Sequence, residues 1–127
     1  MRFDLNNLNP GTWLDIDESK PEDGAICLRV LNDDTRRKLH KKHTSRKFVR
    51  GRQLEELSEP AFYADMWDYC ILDWKGICDA DGKPVPCTAA NKALLMAESP
   101  VFANIVSGLL DHLNIEAARR AEEAEKN

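Results

Sequence analysis

The chain has 127 residues, enough for one domain with its own core and no need of disulfides or metal. With 43% hydrophobic and 31% charged residues, it contains no apolar run near the ~18 residues of a membrane helix, and Met1-Arg2-Phe3-Asp4-Leu5-Asn6 holds no apolar signal core. A soluble cytoplasmic protein is expected, and its net charge of −4 is unevenly spread. Residues 36–52 hold nine of the 18 Lys and Arg and none of the 22 Asp and Glu, so the remainder sets nine basic against 22 acidic residues.

In chain order, Asn9-Pro10-Gly11 is a turn signal. Trp13, Leu14 and Ile16 among polar neighbours predict a short strand, and Lys20-Pro21-Glu22-Asp23-Gly24 a second turn. A more apolar strand, Ala25 to Leu31, completes a hairpin over about 12–31. Two strands alone are marginal, so the hairpin has to lean on the helices that follow. Asn32-Asp33-Asp34-Thr35 offers N-caps for a basic helix through His43, anchored by Leu39. Residues 44–52 show no period and read as a basic loop or a poorly ordered segment, and Gln53 to Leu57 as one helical turn.

Ser58-Glu59-Pro60 opens a stronger helix. Phe62, Met66 and Tyr69 share one face, Tyr63, Trp67 and Cys70 an adjoining one, and the helix is expected to run on to Asp73-Trp74. Next comes a joint: a tight turn at Asp79-Ala80-Asp81-Gly82 and a return arm stiffened by Pro84 and Pro86. Thr88 caps a helix from Ala89 to Ala97, and Ser99-Pro100 starts the last one. There Phe102, Ile105, Val106, Leu109, Leu110 and Leu113 mark a buried stripe, which stops past Ile115. Residues 116–127 read as a polar helical extension or tail.

Few side chains carry chemistry. Cys27, Cys70, Cys78 and Cys87 lack C-x-x-C spacing and read as free, small apolar residues. His40 and His43 share a helical face, but their cationic surroundings repel a metal ion. Asp79-Ala80-Asp81-Gly82 begins like a calcium loop, yet its twelfth position is Ala90 in place of the required glutamate. No phosphate loop, HExxH or nucleophile elbow occurs. No enzyme activity, metal or cofactor is expected. The basic run Arg36, Arg37, Lys38, Lys41, Lys42, Arg46, Lys47, Arg50 and Arg52, with Phe48 among its last members, could track a phosphate backbone. The acidic remainder argues against nucleic acid.

Asp73-Trp74-Lys75-Gly76-Ile77, then Asp79 through Lys83-Pro84-Val85-Pro86-Cys87-Thr88, then Asn91-Lys92 and Leu94-Leu95, together resemble one known family. It is the tail assembly chaperones of long-tailed bacteriophages, whose pattern runs W-x-G-V-x-D-x-D-G-x-P-x-P, an aromatic or Cys, Ser or Thr, and two helices. The resemblance covers about residues 73–110; the remainder, basic run included, carries no matching motif. It implies a non-catalytic protein that binds the tape measure protein, helps recruit tail tube subunits, and is absent from the finished tail.

The reading is a mainly helical α+β single domain, 1–115: an N-terminal β-hairpin packed against about four helices. Within it lie a basic helix and loop at 34–52 and a helical core at 60–115. Partner contacts are expected from Trp67, Trp74, Phe102, Leu109 and Leu113, with weak self-association along the last helix. The alternatives are a nucleic-acid-binding or regulatory protein acting through 36–52, and a structural virion component.

Overall fold

The computed structural model describes residues 1–125. The chain folds as one α+β domain. Among the described residues it has five short strands in two antiparallel sheets, with four helices. The first sheet contains β1 (Thr12–Asp15), β2 (Ala25–Leu28) and β5 (Ile71–Lys75) in the order β1-β2-β5. Trp13 lies opposite Cys27, and Ile26 opposite Trp74.

The central strand β2 is buried along its whole length. A buried strand needs partners for the polar backbone on both its edges. Here the expectation of a helix running to Trp74 is corrected: the helix stops at Cys70, and Ile71–Lys75 pairs with the second edge of β2. The hairpin therefore leans on a third strand as well as on helices.

Two glycines permit that third strand to turn away. Gly24 and Gly76 both have positive φ, and a Cβ on Gly76 would lie 2.6 Å from the Gly24 Cα and 2.9 Å from the Asp23 carbonyl. The backbones touch there, and only glycine fits.

Helix α1 (Asp33–Lys42) is capped by Asn32, whose side chain accepts a 2.8 Å hydrogen bond from the Thr35 amide. Asp33 and Asp34 sit in its first turn and His40, Lys41 and Lys42 in its last, the arrangement the helix dipole favours. The segment expected as a loop and a helical turn is instead a hairpin: β3 (Thr44–Val49), a two-residue turn at Arg50-Gly51, and β4 (Arg52–Leu57). Both turn residues have positive φ, as hairpin twist demands. Every residue of this hairpin is exposed except Thr44 and Leu57 at its base.

Helix α2 (Glu59–Cys70) leads into β5, and after the joint come α3 (Ala89–Glu98) and α4 (Pro100–Glu125). The expected extension at 116–127 is helical as far as Glu125; residues 126–127 lie outside the described part. The core unites Ile26, Leu28, Ile71, Trp74, Phe102 and Val106, with Ile105, Leu109, Leu110 and Leu113 packed against it. The α4 stripe thus lies against the first sheet. Among the described residues no single helix is long and apolar enough to cross a membrane.

Candidate functional site

The joint between β5 and α3 is held by the residues that carry the sequence resemblance. The Asp79 carboxylate accepts hydrogen bonds from the Asp81 and Lys83 amides, each 2.9 Å, which makes it a turn former. Its backbone closes a ribbon: the Asp79 amide donates to the Lys83 carbonyl and the Val85 amide to the Ile77 carbonyl. Gly82 takes a positive φ at the tip. The Trp74 indole Nε1 donates to the Val85 carbonyl at 2.7 Å, and its ring meets Phe102 edge-on at 5.7 Å. One side chain therefore fastens the ribbon to β5 and α4 together.

Past the ribbon, the Thr88 hydroxyl caps α3 by accepting from the Asn91 amide, and the Asn91 side chain donates back to the Pro86 carbonyl at 2.9 Å. Lys92 is buried, and its ammonium reaches the Asp68 carboxylate on α2 at 3.0 Å. The motif sets the position of α3 relative to α2.

Between these two helices lies an open cavity of about 550 Å³. Its walls are Pro60, Tyr63, Ala64 and Trp67 from α2 and Ala93, Met96 and Ala97 from α3, with Glu59 at one end. Tyr63 and Trp67 are four residues apart, as are Ala93 and Ala97, so an aromatic ridge faces a row of small residues. Such a furrow accepts a few apolar side chains from one face of a helix. Of the residues expected to meet a partner, Trp67 lines it. Leu113 is elsewhere, in a cleft between α4 and the strands that also includes Leu8, Leu14 and Val30. Leu109 packs against the core. Trp74 and Phe102, 7% and 6% exposed, are core residues, a correction to their expected place at an interface. The joint folds inward over Trp74, which is why the ring does not reach the surface. Tyr63 was placed beside Trp67 on one helix face but not as a partner contact, and Ala64, Ala93, Met96 and Ala97 carried no such expectation; the matched spacing of aromatic and small residues on two consecutive helices is the signal that could have found them.

The basic run is divided between α1 and the β3–β4 hairpin. It contains no acidic residue of its own, but folding brings acidic residues from its flanks and from α2 against it. Asp34 pairs with Arg37 and Lys38 within α1, and Glu55 and Glu56 pair with Arg46 and Lys47 across the hairpin. Asp65 on α2 takes Lys42 at 2.9 Å and His43 at 2.6 Å. The His43 hydrogen bond, and then that of Lys42, holds the Asp65 carboxyl below its ordinary value. Arg36, Lys41, Arg50 and Arg52 make no ion pair among the described residues. All four cysteines are free thiols. Burial pushes Cys70 up to about 11 and also raises Cys27 and Cys87, the opposite of what an activated nucleophile needs. Among the described residues no three His, Cys, Asp or Glu side chains converge as metal ligands do.

A family model described as YdaY prophage protein matches residues 28–127. No curated protein and no solved structure matches the chain. The family match begins in β2 and takes in the basic hairpin, the joint and both walls of the α2–α3 furrow. The chain belongs to the YdaY prophage protein family.

Proposed function

We propose that this prophage protein is a non-enzymatic tail assembly chaperone that holds an amphipathic helix of the tape measure protein in the α2–α3 furrow. The observation that carries this reading is the furrow itself: an open apolar channel between two helices whose spacing is set by the chaperone-like joint. A tape measure protein is long and coiled, and its apolar stripe needs cover until tube subunits enclose it. An amphipathic helix presents side chains at i, i+3 and i+4, which matches the Tyr63–Trp67 ridge facing the small Ala93–Ala97 row. Burial of a few such side chains, at about 25 cal/mol per Å², supports reversible binding, as a factor that departs requires. The raised thiols accord with a role that involves no catalysis, and no cofactor enters it. The site of action is the bacterial host cytoplasm, and tail tube subunits would meet the complex there.

The experiment is a nuclease-treated pull-down of the tagged chain from cells expressing the prophage's late genes, read by mass spectrometry. Recovery of a very long coiled-coil protein, lost with Trp67→Glu, is the expected result. Failure to recover one from cells that contain it contradicts the proposal. Purified particles free of the chain distinguish a chaperone from a virion component.

A further inference from the structure

The β3–β4 hairpin contributes little to the core, yet it is regular. Its strands hydrogen-bond only to each other among the described residues, so both outer edges are open. At about 3.3 Å per residue it reaches ~20 Å from its base. Near the tip it exposes Phe48 (78%) and Leu54 (50%) beside Arg50 and Arg52, the two hairpin arginines without an ion pair among the described residues. Such an arm needs a receptor with an open strand edge, negative charge and some apolar surface.

The same chain carries one. β1 is an edge strand that pairs only with β2 among the described residues, and it leaves Trp13 48% exposed. The loop leaving it, residues 15–23, exposes Asp15, Asp17, Glu18, Glu22 and Asp23 against a single Lys20. The whole molecule repeats this polarity. Residues 33–57 hold nine Lys and Arg with four Asp and Glu, and the remainder holds nine with 18.

We propose that the β3–β4 arm of one copy docks along the free β1 edge of a second copy, its arginines facing the acidic β1–β2 loop. Backbone hydrogen bonds between edges supply the contact, and charge selects partner and register. Donor and receptor are different surfaces, so the contact is head-to-tail and can add copy after copy in an open row. The inference goes beyond the proposed function and does not depend on it, because its test uses the purified chain alone.

The test is sedimentation velocity over a concentration series, in about 0.1 M and about 1 M salt, where the screening length falls from about 10 Å to about 3 Å. Growing oligomers at the lower salt, dissociating at the higher, are expected. Arg50→Glu with Arg52→Glu on the arm, and separately Glu18→Lys with Glu22→Lys on the receptor, raise the association midpoint at least about tenfold. Mixing the two charge-reversed proteins restores association, because each brings the complement of the other. Circular dichroism verifies that each is folded, and the receptor pair tests the contact independently if the arm pair is not. A monomer at every concentration overturns the proposal, as does association indifferent to both pairs. A monomer that instead binds a short DNA duplex, and loses it with the arm pair, also overturns it and assigns the arm to nucleic acid.

Discussion

At Gly76 the backbone leaves β5 with φ +80 and its Cα against Gly24, so any side chain meets main chain on the other side. Gly76→Ala is expected to cost more than about 2 kcal/mol, through strain and steric overlap together. Urea denaturation measures it, and an unchanged midpoint would show that the two turns can separate. Trp74→Phe keeps an aromatic ring against Phe102 but removes the donor to the Val85 carbonyl; the expected loss is about 1–2 kcal/mol. Lys92 and Asp68 make an asymmetric pair, with side chains 8% and 48% exposed. Lys92→Met leaves a carboxylate that water can solvate, whereas Asp68→Ala leaves a buried ammonium without its counter-charge. Asp68→Ala should therefore destabilise by roughly 1–3 kcal/mol and Lys92→Met by less, a ranking that thermal denaturation of the two variants decides.

At the scale of elements, the arm and the body are separable. The β3–β4 hairpin buries no residue, and its base is closed by the Ser58 amide donating to the His43 carbonyl at 2.9 Å. Replacing residues 45–56 with a short Gly-Ser turn should change stability by less than about 1 kcal/mol, while abolishing any self-association. The contact of α1 with α2 is more sensitive, because Asp65 joins Lys42 and His43. Its carboxyl is held below the ordinary 3.8, so its contribution to stability is present above that value and is lost as pH falls through the lowered one. Asp65→Asn should flatten the acid limb of a stability-against-pH curve, and an unaltered limb would place the acid sensitivity elsewhere. The N-caps, the joint and the α4 stripe were legible because each is local: a cap, a turn or a period is written in adjacent residues. β5 was not, because Ile71 to Lys75 continues the apolar pattern of α2, and only the unpaired edge of the buried β2 converts it to a strand. The arm was hidden for a different reason. Each of its two faces mixes charged residues with an isolated apolar one such as Phe48 or Leu54, so no alternation shows, and Arg46–Glu55 and Lys47–Glu56 become neighbours only after the turn is made.

Across the whole molecule, the apolar furrow and the charged arm occupy different helices and sheets, which permits two contacts at once. The furrow would grip a helix while the arm links neighbouring copies, giving a row of chains along a rod. The charge asymmetry was readable in sequence, but which charges stay unpaired was not, since Asp34, Glu55, Glu56 and Asp65 come together with the basic run only in the fold. For the same reason Trp74 looked like an interface residue and proved to be core, while Trp67, seven residues earlier, is half-buried, packing against the core on one side and lining the furrow on the other. The most direct measurement titrates a helical fragment of the prophage's own tape measure protein into the purified chain, with Trp67→Glu and Met96→Glu as paired variants. Saturable binding at a micromolar Kd, weakened at least about tenfold by either variant, is predicted. No binding across successive fragments of the tape measure, or binding that both variants leave intact, would contradict the furrow as its site.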